Sequence, residues 1–395
     1  MYSFDKFVDR RGSGAYKYDR LDRYFGRTDL QPMWVADMEF ETPDFISDAL
    51  KERLEHPIFG YTVTPDAFAA SIKKWEMDRH SWDIQTDWIC YIPGIVKGIG
   101  MAVRALLEKD DKVIIQPPVY HPFRLVPQAC GFEVVYNPLL PGADGIYKMD
   151  LEGLEAIIKA DSKCKLLILC NPHNPAGIVW DKATLQQLAS ICCKYGVTVI
   201  SDEIHCDMAL FGHKHVPFAS VSEEAAKISI TFAAPSKTFN VAGIVSSHAI
   251  VPDKKLREKF FGWMEACELN EHDIFAPITT IAAFTKGEPW RQELVKYLEG
   301  NVLAVEEFCN KRLPEVKPVR PQASFLIWLD CRSLGLSQKD LNRLFTEEAH
   351  LALNDGQMFG KEGIGYMRFN IGAPRSFVLE ALEKLEKAVI KCCRR

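Results

Sequence analysis

The sequence has no run of about 18 apolar residues, the length that a membrane-spanning helix needs. Residues 1–12 carry charges where a signal peptide requires a continuous apolar segment. None of the twelve cysteines stands in a Cys-x-x-Cys spacing, and we interpret them as free thiols of a reducing compartment. We therefore expect a cytoplasmic protein that neither crosses a membrane nor is exported.

Several classes of partner and site also lack their usual signals. The 48 Lys and Arg against 53 Asp and Glu leave a net charge of −5, and no basic run could follow a phosphate backbone, so nucleic acid is not the expected partner. No HExxH or paired CxxC spacing occurs, and His213 and His215 in a polar loop are more typical of a solvated turn, so we expect no metal. A G-x-S-x-G hydrolase elbow is absent.

What the sequence does contain is a globular composition. Its 395 residues, 47% of them hydrophobic, predict two to three domains, or one large domain with a small companion. Short β-branched apolar runs alternate with amphipathic stretches, which predicts an α/β fold with a mostly parallel sheet between helices. A crossover helix is predicted at Lys182–Tyr195, ending at Gly196. The candidate strands are Trp88–Ile92, Lys112–Gln116, Leu166–Cys170, Val197–Ser201, Ile228–Phe232 and Val245–Val251.

The pattern changes near residue 286. A long charged helix at Trp290–Arg312, strands at Ser324–Asp330 and Tyr366–Ile371, and a last helix predict a smaller α+β domain. We expect three segments along the chain. They are an N-terminal arm with part of the small domain (1–47), a large domain (48–285) and the C-terminal small domain (286–395).

Four motifs follow candidate strands, at the edge where open α/β sheets bind ligands. In Ile92–Gly98 (IPGIVKG) a strand ends and a helix begins, so free N–H groups could bind a phosphate; a plain strand-to-helix turn is the alternative. In Asn171–Gly177 (NPHNPAG) the Asn-Pro steps exclude helix and could orient the Asn174 amide; a tight polar turn is equally compatible.

The third motif is Ser201–His205 (SDEIH), where Asp202 could keep a ring nitrogen protonated and His205 could reach a ring oxygen. A helix cap and a core histidine are the alternatives. The fourth motif is Ala234–Gly243 (APSKTFNVAG), whose small and apolar residues would lower the pKa of Lys237 by desolvation, which favours Schiff-base formation. Most lysines are instead solvated surface charges. Together the four motifs predict a pocket for pyridoxal 5′-phosphate (PLP).

In this order, the motifs NPHNPAG, SDEIH and PSKTFN resemble the fold-type-I, class I/II aminotransferase family along nearly the whole chain. Residues 32–40 (PMWVADMEF), 59–62 (FGYT) and 117–123 (PPVYHPF) are similar to its cystathionine β-lyase and cysteine C–S lyase branch. The resemblance implies PLP as the cofactor and a large domain with a mostly parallel, seven-stranded sheet. It also implies a homodimer.

Site residues follow from the resemblance by position. Lys237 would be the catalytic residue and would hold the cofactor, and Tyr61 would reach the phosphate and the substrate from the partner subunit. The remaining implied cofactor contacts are Gly94, Ile95, Val96, Tyr120, Asn174, Asp202, His205 and Ser236. Many members carry an arginine eight residues after the lysine, where this chain has Val245. The lyase branch also tends to lack that arginine.

Arg368 lies on a candidate strand with apolar neighbours, and its guanidinium cannot lose its charge. We expect it to bind the α-carboxylate of an amino-acid substrate, with the backbone near Ala36 contributing. A salt bridge to a local carboxylate is the alternative.

The resemblance implies a C–S β-lyase that converts L-cystathionine or cysteine-type S-substituted amino acids to a thiol (homocysteine or sulfide), pyruvate and ammonia. An aminotransferase shares the early chemistry but requires a 2-oxo acid, and this alternative stays open. Some lyases of this branch also contact a transcriptional regulator, which leaves a second role as a binding protein open. The sequence contains no separate DNA-binding element.

Overall fold

The computed structural model describes residues 2–142 and 145–393, so the outermost residues of the predicted arm and C-terminal domain lie outside it. Within this part of the chain the strands are β1 Gln31–Pro32, β2 Ile89–Ile92, β3 Lys112–Ile115, β4 Glu133–Tyr136, β5 Leu140–Pro141, β6 Tyr147–Lys148, β7 Cys164–Cys170, β8 Thr198–Asp202, β9 Ser229–Ala233, β10 Ser247–Ile250, β11 Lys317–Val319, β12 Leu326–Asp330, β13 Leu351–Ala352, β14 Asn354–Asp355 and β15 Tyr366–Asn370.

The α-helices of the same residues surround these strands. They are α1 Tyr16–Asp19, α2 Leu21–Phe25, α3 Asp44–Leu54, α4 Asp66–His80, α5 Ile95–Leu106, α6 Pro122–Ala129, α7 Leu151–Ala160, α8 Lys182–Tyr195, α9 Glu223–Ile228, α10 Lys254–Ala266, α11 Ala276–Lys286, α12 Glu288–Arg312, α13 Gln338–Arg343 and α14 Arg375–Cys393. No helix of the described ranges combines the length and the apolar character that crossing a bilayer requires.

The large sheet has seven strands in the order β2-β10-β9-β8-β7-β3-β4. All neighbouring pairs are parallel except those of β10, which runs antiparallel to both β2 and β9. The predicted α/β fold with a mostly parallel seven-stranded sheet is confirmed. The six candidate strands correspond to six of these seven. Strand β4 was not among them, because it is a short edge strand with only one buried residue, Val134.

Helix α8 shows how local sequence determines an element beside this sheet. The Asp181 side chain accepts a hydrogen bond from Thr184 N at 2.9 Å and caps the first turn, while Gly196 ends the helix with φ 66°. Leu185 and Leu188 lie on its buried face. The observed bounds are those predicted from the sequence.

A second sheet, in the order β11-β12-β15-β14, is antiparallel and packs with the long helix α12 and with α14. The short strand β1 of the N-terminal arm pairs in parallel with β13, which joins the arm to this part of the molecule. The domain limits at 47/48 and 285/286 stay predictions. Between the second sheet and the carboxyl ends of β7, β8 and β9 lies a cavity.

Candidate active site

The cavity has a volume of about 280 Å³ and lies where the strands of the large sheet end. Most of the residues singled out from the sequence line it. They are Ala36, Gly94, Ile95, Val96, Tyr120, Asn174, Asp202, His205, Ser236 and Lys237. Four loops that are far apart in the chain therefore meet at one place, as the strand order of an α/β sheet dictates.

Lys237 follows β9 in the turn that begins at Pro235. Its Nζ donates a hydrogen bond to the Ala36 carbonyl oxygen at 2.5 Å, across 201 positions of sequence. Burial lowers the pKa of Lys237 to about 8, although the Asp37 and Asp202 carboxylates act in the opposite direction. A neutral amine is therefore accessible near pH 8, and the neutral form is the one that attacks a carbonyl carbon.

Asp202 is the last residue of β8 and is buried. Its Oδ1 accepts a hydrogen bond from Ile204 N at 3.1 Å, and no Lys, Arg or His in residues 2–142 or 145–393 forms an ion pair with it. Burial raises the pKa of Asp202 to about 7. A protonated ring nitrogen beside this carboxylate would supply the missing positive charge.

His205 is buried three residues after Asp202. Its Nδ1 lies 3.1 Å from the Ser324 hydroxyl, and burial lowers its pKa to about 3, so the imidazole is neutral throughout the physiological range. Ser324 itself has φ 78°, a conformation that non-glycine residues rarely adopt. The strained serine fixes the histidine ring at the cavity wall.

The opposite end of the cavity is formed by the first turn of α5. Gly94 has φ 103° and no side chain caps the N–H groups of this turn. Val245 faces it, since a Cβ built on Gly94 would lie 3.5 Å from Val245 Cγ1. Lys97, which the sequence analysis did not single out, also lines the cavity. The turn could offer an anion its backbone N–H groups, and position 245 supplies no arginine beside them.

Asn174 connects the cavity to Arg368. Its loop contains cis peptide bonds at Asn171-Pro172 and Asn174-Pro175, and its Oδ1 accepts a hydrogen bond from Arg368 Nη1 at 3.0 Å. Tyr120 lies just before α6, and its ring packs edge-on against Phe123 with centroids 6.0 Å apart. The other face of the Tyr120 side chain lines the cavity.

Arg368 is 4% exposed on β15. Its other hydrogen-bond acceptors are the Trp34 carbonyl oxygen at 2.9 Å and Asn354 Oδ1 at 2.5 Å, and its Nε has no partner. In the described residues no carboxylate pairs with it, so the predicted alternative of a local salt bridge is not what the structure shows. Burial lowers the pKa of Arg368 to about 10. A buried guanidinium among neutral acceptors would be stabilised by an anion.

The backbone of residues 34–38 accepts hydrogen bonds from both Lys237 and Arg368. The Val35 and Asp37 carbonyl oxygens accept hydrogen bonds from Asn370 Nδ2 at 2.6 and 2.8 Å. Asn240 brackets Met38, since its Oδ1 accepts from Met38 N at 2.9 Å and its Nδ2 donates to Met38 O at 3.0 Å. Sequence reasoning missed these asparagines. A polar residue inside an apolar strand, such as Asn370, was the available signal.

Two other residues from the sequence analysis lie outside this cavity. Tyr61 is fully exposed between α3 and α4 and lines a separate cavity of about 800 Å³ with residues 270–275, so one chain does not bring it to Lys237. His215 is buried, with Nε2 2.7 Å from Glu203 Oε2. The solvated turn expected around it is wrong for His215, because the ring is buried and hydrogen-bonded to Glu203.

Residues 35–385 match the family described as aminotransferase class I and II. The chain belongs to this family. Among curated members, it is 43% identical over 387 residues to cystathionine beta-lyase PatB of Bacillus subtilis, covering 98% of this chain and 100% of PatB. The predicted family is confirmed.

Solved structures of the same family superpose closely on the chain. Cystalysin from Treponema denticola, which contains a pyridoxal 5′-phosphate cofactor, is 34% identical with a TM-score of 0.95, and 99% of each chain is covered. A PLP-bound putative aminotransferase from Clostridium difficile is 40% identical with a TM-score of 0.96, covering 98% of this chain and 100% of the other. The fold is therefore the fold-type-I arrangement of this aminotransferase family.

The residues of this family member fit PLP by their own chemistry. An uncapped helix N-terminus suits the phosphate, the unpaired Asp202 carboxylate suits a protonated pyridine nitrogen, and Lys237 suits the aldehyde. These three groups line one cavity. Arg368 lies beyond Asn174, on the side where a second, anionic ligand would bind.

Proposed function

We propose that the chain is a PLP-dependent C–S β-lyase that converts L-cystathionine or a related S-substituted cysteine to a thiol, pyruvate and ammonia. One observation carries the chemistry: a single site combines a lysine of lowered pKa, a buried carboxylate without a cation and a buried arginine without an anion. The full-length similarity to cystathionine beta-lyase PatB favours elimination over amino transfer.

Bound PLP supplies an aldehyde that condenses with amines and a ring that withdraws electrons from the amino-acid Cα. The protein orients this group. Lys237 would hold it covalently, Asp202 would keep its ring nitrogen protonated, and Tyr120 would cover one face of the ring. The N–H groups of the Gly94–Val96 turn and the Ser236 hydroxyl would bind the phosphate, while Asn174 and the neutral His205 would contact the ring oxygen.

The substrate half of the site is anchored by Arg368, which binds the α-carboxylate through its guanidinium, with the backbone at Ala36 nearby. This anchoring directs the Cα–H bond toward Lys237. The free Lys237 amine, whose pKa is about 8, accepts the Cα proton near neutral pH. The Cβ–S bond would then break with its electron pair going to sulfur, and the proton taken up by Lys237 can complete the thiol. One water molecule converts the remaining three-carbon fragment to pyruvate and ammonia.

The decisive experiment measures pyruvate released from L-cystathionine by purified, PLP-loaded protein with no 2-oxo acid present. We expect many pyruvate molecules per site from the parent, and loss of both pyruvate and protein-bound colour in Lys237→Ala. Lys214→Ala, which removes an exposed lysine, is the matched control and should behave like the parent. Colour without pyruvate, with amino transfer only when a 2-oxo acid is supplied, would support the aminotransferase instead.

We also propose a homodimer in which Tyr61 completes the neighbouring site. The loop around it exposes Ile58, Phe59 and Val63 at 66%, 60% and 84%, more apolar surface than a free loop usually presents. Such a surface fits a second copy of the chain. The partner subunit's Tyr61 would reach the phosphate, which this chain binds without an arginine.

Mixed dimers test this arrangement. Co-expressed Tyr61→Ala and Lys237→Ala chains form a hybrid with one intact site if Tyr61 acts across the interface, so about a quarter of the parental activity should return. If Tyr61 acts within its own chain, no hybrid site is intact and activity stays at the level of the separate variants.

We further propose a cytoplasmic location and the division into segments 1–47, 48–285 and 286–395. The cysteines in the described part of the chain are free thiols, which supports a reducing compartment. The pairing of β1 with β13 supports the assignment of the arm to the small domain. Localisation of a fluorescent fusion and limited proteolysis near residues 47 and 286 would test the two proposals.

A further inference from the structure

Five charged or phenolic side chains form a cluster within the N-terminal arm. We call this the arm cluster; its members are Arg10, Lys17, Tyr18, Asp37 and Glu39. Lys17 is 1% exposed on α1, and its Nζ lies 2.7 Å from Glu39 Oε1 and 3.5 Å from Asp37 Oδ1. A lysine buried this completely is retained only when its charge is compensated.

The other members complete the charge balance. Arg10 Nη2 lies 2.8 Å from Asp37 Oδ2, and Arg10 Nη1 lies 3.5 Å from Glu39 Oε1. The Tyr18 hydroxyl donates to Glu39 Oε2 at 3.0 Å. Two cations thus face two carboxylates. The pairing keeps the pKa of Asp37 low in spite of its burial, because Lys17 and Arg10 oppose the desolvation.

Lys17 also contacts both ends of the segment 34–38. Its backbone carbonyl accepts a hydrogen bond from Trp34 Nε1 at 2.9 Å, and its Nζ donates to the Asp37 carbonyl oxygen at 3.3 Å. Between these two points lie the two carbonyl groups that bind the cations of the active site. The Trp34 carbonyl binds Arg368, and the Ala36 carbonyl binds Lys237.

We propose that Lys17 and Asp37 are positioning residues for the lyase site: within the network of ion pairs that they form with Arg10 and Glu39, they fix segment 34–38 against Arg368 and Lys237 and set the charge beside Lys237. This inference rests on the proposed function for its substrate. Lys17 and Asp37 lie in the N-terminal arm, outside the four cofactor motifs, so the proposal gives the arm a role in positioning the catalytic groups.

The two residues act on Lys237 with opposite sign. The charged or titratable groups that face Lys237 are Asp37, Arg368, Asp202, Lys17 and His205. Of the paired groups, Asp37 raises the pKa of Lys237 and Lys17 lowers it. Loss of the Lys17 charge should therefore raise the pKa of Lys237, because the Asp37 carboxylate is then less compensated. Loss of the Asp37 charge should lower that pKa, because the Lys17 ammonium is then less compensated. A purely structural role would give both losses the same effect.

The test compares Lys17→Met with Asp37→Asn in PLP-loaded protein. The midpoint of the pH titration of protein-bound cofactor absorbance should rise in Lys17→Met and fall in Asp37→Asn, each by roughly half a pH unit or more. The KM for the amino-acid substrate should rise severalfold in both, because the segment that orients Arg368 is released. Lys17→Arg should restore the parental midpoint.

Two further variants keep the test informative. Arg10 is partly exposed, so Arg10→Met is a milder loss of positive charge at Asp37 and should raise the midpoint in the same direction as Lys17→Met. Lys6 pairs with Glu41 on the surface of the same arm, and Lys6→Met should change neither the midpoint nor KM.

Midpoints that move in the same direction in Lys17→Met and Asp37→Asn, or stay at the parental value in both, would overturn the proposal. The absorbance titration does not depend on pyruvate formation. A chain that binds the cofactor without releasing pyruvate would contradict the proposed lyase function and leave this test intact, so the two failures are distinguishable.

Discussion

The two walls of the cavity differ in how they are built and in the charge they carry. The first wall comes from loops that directly follow β2, β8 and β9, and each loop supplies its own functional residue, such as Asp202 or Lys237. The second wall comes from the N-terminal arm, whose Ala36 lines the cavity, and it is backed by β14 and β15. There Arg368 lies behind Asn174 and is held largely through oxygens of distant residues.

Each wall holds one buried charged group without a partner of opposite charge, negative on the first wall and positive on the second. Asp202 is a buried carboxylate without a cation in the described residues, and Arg368 is a buried guanidinium without an anion there. Burying either group alone costs free energy. The arrangement suits two ligand groups of opposite charge. A protonated ring nitrogen of a cofactor would pair with Asp202 at one wall, and a substrate carboxylate would pair with Arg368 at the other.

The largest effect should come from Lys237→Ala, which removes the covalent attachment and the base of the first wall together. We expect a loss of about a thousandfold or more in kcat for pyruvate formation. Binding of the substrate carboxylate should persist, because Arg368 is untouched. Calorimetry of amino-acid binding to the purified variant checks this, and loss of that binding as well would show that the walls are not separable.

Asp202→Asn should impair the cofactor wall, lowering both the activity and the affinity for PLP. We expect a drop of about a hundredfold in kcat/KM and weaker PLP binding, because the ring nitrogen loses its anion. Titration of PLP by fluorescence quenching measures the affinity.

Without PLP, the same substitution should stabilise the chain at neutral pH. The folded-state pKa of Asp202, about 7, lies above its unfolded value, so unfolding releases a proton between about pH 4 and 7 and becomes more favourable as the pH rises. Asp202→Asn abolishes this pH-dependent loss, worth at most about 4 kcal/mol. Denaturant unfolding of PLP-free protein at pH 4.5 and 7.5 tests the sign. A variant less stable than the parent at pH 7.5 would contradict it.

Arg368→Lys should act on the substrate wall alone. A lysine retains the charge but cannot reproduce the planar, multiple hydrogen bonds to Asn174, Trp34 and Asn354, so KM should rise about thirtyfold while PLP affinity stays parental. Steady-state kinetics with L-cystathionine, beside a PLP titration, measure both. Arg343→Lys, at a surface ion pair, is the control.

The smallest effect should come from Asn354→Ala, which removes one neutral acceptor from the Arg368 guanidinium. We expect a three- to tenfold rise in KM with little change in kcat, in line with the loss of one charge-assisted hydrogen bond. A KM unchanged within error would show that Asn174 and Trp34 suffice to orient Arg368.

The same contrast explains what the sequence could predict. The first wall consists of contiguous motifs after apolar strands, so the family, the seven-stranded sheet and most of the residues that line the cavity could be predicted before the structure. Helix α8 was predicted with its observed bounds because its caps are local. The edge strand β4 was missed, since only one of its four residues is buried and the strand leaves little apolar signal.

The second wall could be predicted only at Arg368 and Ala36. Its remaining parts act through backbone carbonyl groups and through asparagines far away in sequence, such as Asn370 and Asn354, and a carbonyl group carries no side-chain signature. Lys17 is indistinguishable from a surface lysine in the sequence, because its burial depends on Asp37 and Glu39 folding over it. Long-range packing therefore determines the half of the site to which we assign substrate binding.

The most direct test of the central claim is the ratio of elimination to amino transfer for one amino acid. PLP-loaded protein is mixed with L-cystathionine and an excess of a 2-oxo acid, and pyruvate and the newly formed amino acid are counted per site. The lyase account predicts that pyruvate exceeds the new amino acid by at least about tenfold and continues to form when the 2-oxo acid is omitted. A new amino acid in excess, with pyruvate formation ceasing without the 2-oxo acid, would contradict it.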